Sequence, residues 1–206
     1  MKTMPQMQLY NEFQSLLDEP VEEAPLQNFL ERHHDIIVNT FSQGAQYPVV
    51  FPKFHLADEL IPDFVMIGHR SGASWDVDLI EIKQAVLNKN LFNRQRQPRG
   101  HLRIAEGQVT KLQVWIERNR EFFVRQTIDK ILEEHLWDRS PLFHAATRND
   151  ISFMVWYRIV IGRRTDFDTW GNRYRTNKLR ETNNRVEIVT WDRLLDKARQ
   201  IENRTS

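Results

Sequence analysis

The sequence predicts a single mixed α/β domain, on three observations. Its 206 residues suit one domain, or one domain with appendages, at roughly 150 residues per domain. Short β-branched and aromatic runs alternate with segments whose apolar residues recur at helical spacing. The order of those segments is helix, three strands, helix and strand, followed by a strand–helix tail. A chain of this size buries about 70% of its unfolded surface, so a full core forms without covalent staples. We expect residues 1–206 to form one domain, with 1–19 an N-terminal extension and 20–200 the core.

Each element has its own signal. Leu26, Phe29, Leu30 and then Ile36 or Ile37 predict a helix over about Pro20 to Asp35. Tyr47 to Phe51 is short, apolar and β-prone, a first strand. Asp63 to Ile67 ends in Gly68, and His69 to Ser74 is turn material. Trp75 to Lys83 is the next strand, and the short connection predicts an antiparallel hairpin. Asn88 to Gly100 is polar and arginine-rich, a loop. Leu102, Ala105, Val109, Leu112 and Ile116 form one stripe of a helix over about His101 to Glu121. Helix continues to about Trp137 with Ile128, Ile131, Leu132 and Leu136. Ile151 to Ile161 is the most strand-like run, and Val186 to Val189 a short last strand. Thr190 can then cap a final helix, with Asp192 in its first turn.

Composition excludes several kinds of chemistry. There is no cysteine, hence no disulfide scaffold, Cys-based zinc site or thiol nucleophile. No apolar run approaches a membrane span, and the start of the chain has no signal-peptide core, so a cytoplasmic protein without membrane contact is expected. The net charge of +1, taken as a total, argues against a nucleic-acid partner. Its distribution argues the other way. Residues 1–35 carry −5, whereas 83–130 carry +7 and 158–180 carry +5. Cationic segments inside a neutral total are the pattern that matters for a polyanion.

The residues that carry chemistry sit on the hairpin. Asp63 opens one strand, and Glu81 and Lys83 stand two apart on the next, hence on one face. If Asp63 lies beside Glu81, two carboxylates and a lysine meet at the sheet edge, with the Ile82 carbonyl between the acids. Carboxylates and a carbonyl are hard oxygen donors suited to Mg²⁺ or Mn²⁺. A divalent cation relieves the repulsion between the acids and polarises a phosphate oxygen or water. Lys83 would orient or deprotonate that water, or stabilise developing charge. Taken bare, Asp followed later by Glu-x-Lys also describes an exposed turn acid and a surface ion pair. Charged residues within strands this apolar point instead to a site.

Through Pro62-Asp63 and Glu81-Ile82-Lys83 the chain resembles the PD-(D/E)XK nuclease superfamily. It is most similar to the catalytic domain of Shedu-type antiphage nucleases. The likeness runs through EAPLQNFLERH from Glu23, IPDFVMIG, DLIEIKQA, Ala105-Glu106-Gly107-Gln108 with Leu112, Ile161-Gly162-Arg163 and VEIVTWDRLL, over about residues 20–200. The resemblance implies the restriction-endonuclease-like αβββαβ core with a mixed central sheet flanked by helices. It implies metal-dependent hydrolysis of DNA phosphodiesters. By position, Asp63 and Glu81 would hold the metal, Lys83 would be the catalytic lysine, and Gln108 would help place the lysine or the phosphate. Glu23, or Glu22 beside it, could add a further acid. Members are oligomeric, so a homo-oligomer is expected.

Other features have plainer readings. His33, His34 and Asp35 read as a solvated helix end rather than a metal site. Arg94, Arg96, Arg99 and Arg103 are candidates for phosphate-backbone contact, since they follow the site directly. Arg163 and Arg164, with Trp170 and Tyr174 nearby, could grip or stack on a strand, or those aromatics simply pack on the core. Trp115, Trp137 and Trp156 read as core. Three functions share these residues: an antiphage nuclease, a repair or restriction nuclease, and a binding or assembly module that has lost catalysis.

Overall fold

The structure, a computed structural model, describes residues 8–19, 22–42, 44–70, 74–85, 91–135 and 152–205. Five strands form one sheet in the order β1-β2-β3-β4-β5. They are β1 (Gln46–Pro52), β2 (Phe64–His69), β3 (Ser74–Ile82), β4 (Ser152–Val160) and β5 (Val186–Val189). β1, β2 and β3 pair antiparallel, whereas β3–β4 and β4–β5 are parallel. The sheet is therefore mixed, with helices on both faces: the α/β class that the order of elements predicts, consistent with the restriction-endonuclease-like core that the resemblance implies.

Alternation along β3 explains the two layers. Trp75, Val77 and Leu79 face a core closed by Leu102, Ala105, Val109, Leu112 and Ile116 of helix α4 (Gly100–Arg118). Helix α5 (Arg120–His135) adds Phe123 and Ile131 to that side. Ile80 and Ile82 face the opposite core, built by α1 (Gln8–Asp18), α2 (Glu23–Arg32), α3 (His34–Phe41) and α7 (Trp191–Thr205). There Phe13 stacks on Phe29 at 4.6 Å and meets Trp191 edge-on at 6.1 Å. Fully burying each such side chain stabilises the fold by about 1.5–3 kcal/mol.

Three elements differ from the expectation. The single helix over Pro20 to Asp35 is two, because the apolar stripe jumps from Phe29-Leu30 to Ile36-Ile37 and the backbone turns at His33 (φ −132°, ψ 57°). His33 and His34 are consequently a half-buried junction and not a solvated end. His33 packs on Phe29, and His34 meets Phe64 edge-on. Residues 8–18, expected to be extension, form α1 and bury Phe13 and Leu17 one turn apart. Helix α6 (Thr169–Glu181) was not expected, since only Gly171 is wholly buried and no apolar stripe announces it. Its start is fixed by Asp168, whose carboxylate accepts the Gly171 N–H at 2.7 Å. Trp137 and the turn residues 71–73 lie outside the described residues.

Gly68 in β2 has no room for a side chain: a Cβ there would sit 2.6 Å from the Ala45 Cβ. Gly68→Ala is expected to cost about 1–3 kcal/mol, in the range of overpacked sites. Adding Ala45→Gly should return most of the loss. Urea melts of the two single variants and the double variant check this; additive losses would refute the contact.

Candidate active site at the carboxyl end of β3

The hairpin register builds the site. Phe64 pairs with Ile80 across β2 and β3, which sets Asp63 opposite Glu81 one step further. The chain just beyond β3 is clamped from three sides. Lys83 N–H donates to the Val160 carbonyl at 2.8 Å, the Trp191 indole donates to the Lys83 carbonyl at 2.7 Å, and Gly162 N–H donates to the Gln84 carbonyl at 3.1 Å. The ends of β3 and β4 and the start of α7 thus hold one short segment rigidly.

Asp63, Glu81 and Lys83 are all buried, 8%, 3% and 5% exposed. Asp63 is held at both carboxylate oxygens: Oδ2 accepts the Ile82 N–H at 2.8 Å, and Oδ1 accepts from Lys53 Nζ at 2.5 Å. Lys83 Nζ donates to the Ile82 carbonyl at 2.8 Å and lies 3.3 Å from Glu23 and 3.8 Å from Glu81. The Glu81 carboxyl is pushed up to about 8, first by burial and then by the charge of Asp63; Lys83 and Lys53 offset only part of this. Near neutral pH the Glu81 carboxyl therefore tends to keep its proton unless a cation compensates its charge.

A divalent cation fits this donor set. Asp63, Glu81 and the Ile82 carbonyl are hard oxygens, and Glu81 lacks a full countercharge. Among the described residues no three His, Asp or Glu side chains converge as a ready-made cage. A cation would thus rest on two carboxylates, the carbonyl and solvent, which suits Mg²⁺.

The other predicted residues fall into two groups. Glu23 opens α2 and reaches Lys83, while Glu22 is exposed just before that helix. Gln108 lies on α4, which covers the sheet face that Glu81 occupies, and its buried Oε1 has no partner among the described residues. Arg94, Arg96, Arg99 and Arg103 are exposed, and none makes an ion pair among the described residues. The loop carrying the first three is a small hairpin, closed by the Phe92–Pro98 bridge and by Asn93 Oδ1 accepting Gln97 N–H at 2.8 Å. Phe92 packs edge-on against Trp170 at 4.7 Å and Tyr174 at 5.2 Å, so those aromatics anchor the loop. Arg163 and Arg164 are engaged by carboxylates instead. Arg163 pairs with Asp18 and Asp192, and Arg164 with Asp196.

Sequence reasoning missed two features. Lys53 follows β1 with a left-handed backbone (φ 47°), which no residue pattern announces. The second is a buried ion network on the α3/α7 face. Arg158, 2% exposed, donates to Asp78 at 2.7 Å and Glu187 at 2.5 Å, and Glu187 also accepts from Arg193. A lone arginine in the apolar run Ile151 to Ile161, and Asp78 two before Ile80, were the available signals.

Residues 21–195 match a family model described as "Shedu protein SduA, C-terminal". No curated protein matches the chain. No described helix is long and apolar enough to cross a membrane.

Proposed function

Since the chain belongs to the family of Shedu protein SduA C-terminal domains, whose context is antiphage defence, we propose that it is a PD-(D/E)XK-type nuclease hydrolysing DNA. The observation that carries this is the buried Asp63–Glu81 pair beside Lys83, an arrangement that is costly without a cation. Asp63, Glu81 and the Ile82 carbonyl would hold Mg²⁺ or Mn²⁺, with Glu23 near enough to Lys83 to steer it. The bound cation supplies Lewis acidity toward a phosphate oxygen and lowers the pKa of water. Lys83 Nζ, fixed by the Ile82 carbonyl and flanked by two glutamates, orients the attacking water or the phosphate oxygen. As water adds to phosphorus, the P–O bond to the leaving sugar oxygen breaks and that oxygen takes a proton. Gln108, whose buried acceptor has no partner among the described residues, would hold the water's hydrogen or the lysine. The arginines of the 91–99 hairpin are the ones available to flanking phosphates, because Arg163 and Arg164 already face carboxylates. A cytoplasmic homo-oligomer belongs to the same reading.

The test is plasmid and linear DNA incubated with Mg²⁺ or Mn²⁺. Wild type should cut, and Glu81→Ala and Lys83→Ala should not. Binding with a steep salt slope but no cleavage under either metal would replace the nuclease with a binding module.

A further inference from the structure

Both oxygens of the Asp63 carboxylate already have a hydrogen-bond partner. Oδ2 takes the Ile82 N–H, a bond internal to the hairpin, and Oδ1 takes Lys53 Nζ. Of these two partners only Lys53 can leave without unpicking the sheet. Its side chain is 51% exposed, whereas that of Asp63 is 11% exposed. The stem is four methylenes long and flexible. Lys53 also lines an open cleft of about 660 Å³ between the end of β1 and α5, together with Phe51, Phe54, Phe122, Arg125 and Asp129.

The backbone at Lys53 is built for this contact. Its φ of 47° is a conformation in which L side chains are sterically disfavoured and glycine is at ease. Lys53 N–H nevertheless donates to the Asp63 carbonyl at 2.9 Å while its Nζ reaches the same residue's carboxylate. A lysine stands here where glycine would be easier, and the contact its ammonium makes with Asp63 is one that glycine could not supply.

Resting on the nuclease reading, we propose that Lys53 is a second lysine of the site with two successive partners. Without a cation it neutralises Asp63. When a divalent cation binds, like-charge repulsion moves the ammonium off Oδ1 and into the cleft, where it contacts a DNA phosphate next to the cleaved one. The exchange conserves charge balance: Asp63 passes from one cation to another, and Lys53 from a carboxylate to a phosphate. Lys53 would thus make metal binding and substrate binding mutually supportive.

The experiment uses the full chain and Lys53→Gly, Lys53→Met and Lys53→Arg. Lys53→Gly suits the left-handed backbone, so it should fold. Mg²⁺ affinity is measured by calorimetry without DNA, and binding of a short blunt duplex is measured over a salt series with Ca²⁺. Both neutral variants should bind Mg²⁺ several-fold more tightly than wild type, because the competing ammonium is gone. Their salt slope for DNA should fall by about one phosphate contact, and Lys53→Arg should keep it. Unchanged or weaker Mg²⁺ binding in both neutral variants, or an unchanged slope, overturns the role of Lys53 alone. A wild type that binds neither Mg²⁺ nor DNA overturns the nuclease reading itself.

Discussion

Glu81→Gln is expected to do two opposite things: to stabilise the metal-free protein at pH 8 and above, and to abolish Mg²⁺-dependent cleavage. The Glu81 carboxyl rises from 4.5 to about 8 on folding, through burial and the neighbouring Asp63. The native state therefore binds the extra proton between about pH 4.5 and 8, and metal-free stability falls as pH rises through that window. The loss is on the order of a few kcal/mol and levels off above the folded value. Glutamine stays neutral, so the variant should lack that slope. If the proposed Mg²⁺ binds, the sign reverses for wild type, because the ionised carboxylate would then be its ligand. Loss of a ligand should remove several kcal/mol of transition-state stabilisation, roughly 10³-fold in rate. Thermal melts from pH 5 to about 9, with and without Mg²⁺, read both effects. A variant with the wild-type pH slope, or with undiminished stabilisation by Mg²⁺, would remove Glu81 from the site.

The second large effect is structural. Arg158→Met should destabilise the fold by about 3–5 kcal/mol, lowering Tm by roughly 10 °C for a chain of this length. Arg158 lies between Phe41 at 5.6 Å and Trp156 at 5.2 Å, and it is the partner of the buried Asp78. The Asp78 carboxyl is already raised to about 6 by burial, against the pull of Arg158. Removing the guanidinium leaves that carboxylate without compensation, and leaves Glu187 only Arg193. Arg158→Met combined with Asp78→Leu should recover most of the loss, since an apolar pair of similar volume avoids desolvating two charges. A double variant no more stable than Arg158→Met would mean that packing around Arg158, rather than charge, dominates.

Much of the fold was legible because binary patterns carry it. The two-residue alternation in Trp75 to Lys83 placed Glu81 and Lys83 on one face and Ile80 and Ile82 on the other, as the two cores require. The stripe from Leu102 to Ile116 marked α4 for the same reason. Helix α6 was hidden, because a helix held by Asp168 and by an aromatic clasp on Phe92 needs no apolar stripe of its own. The break at His33 left only a slight mark, the jump of the apolar stripe from Phe29-Leu30 to Ile36-Ile37.

The candidate site divides along the same line. Residue types and spacing singled out Asp63, Glu81 and Lys83 as the candidate set, and the absence of cysteine excluded thiolate ligation of any metal. Local periodicity suffices for Glu81 and Lys83, which stand two apart at the end of β3 and just beyond it. Only the tertiary structure decided which partners these groups face. Lys53 reaches Asp63 from ten residues away, Glu23 reaches Lys83 from sixty, and Arg158 meets Asp78 from eighty. Such pairings follow from strand order and register, which depend on the balance of burial across the whole sheet and leave no mark in any short window of sequence.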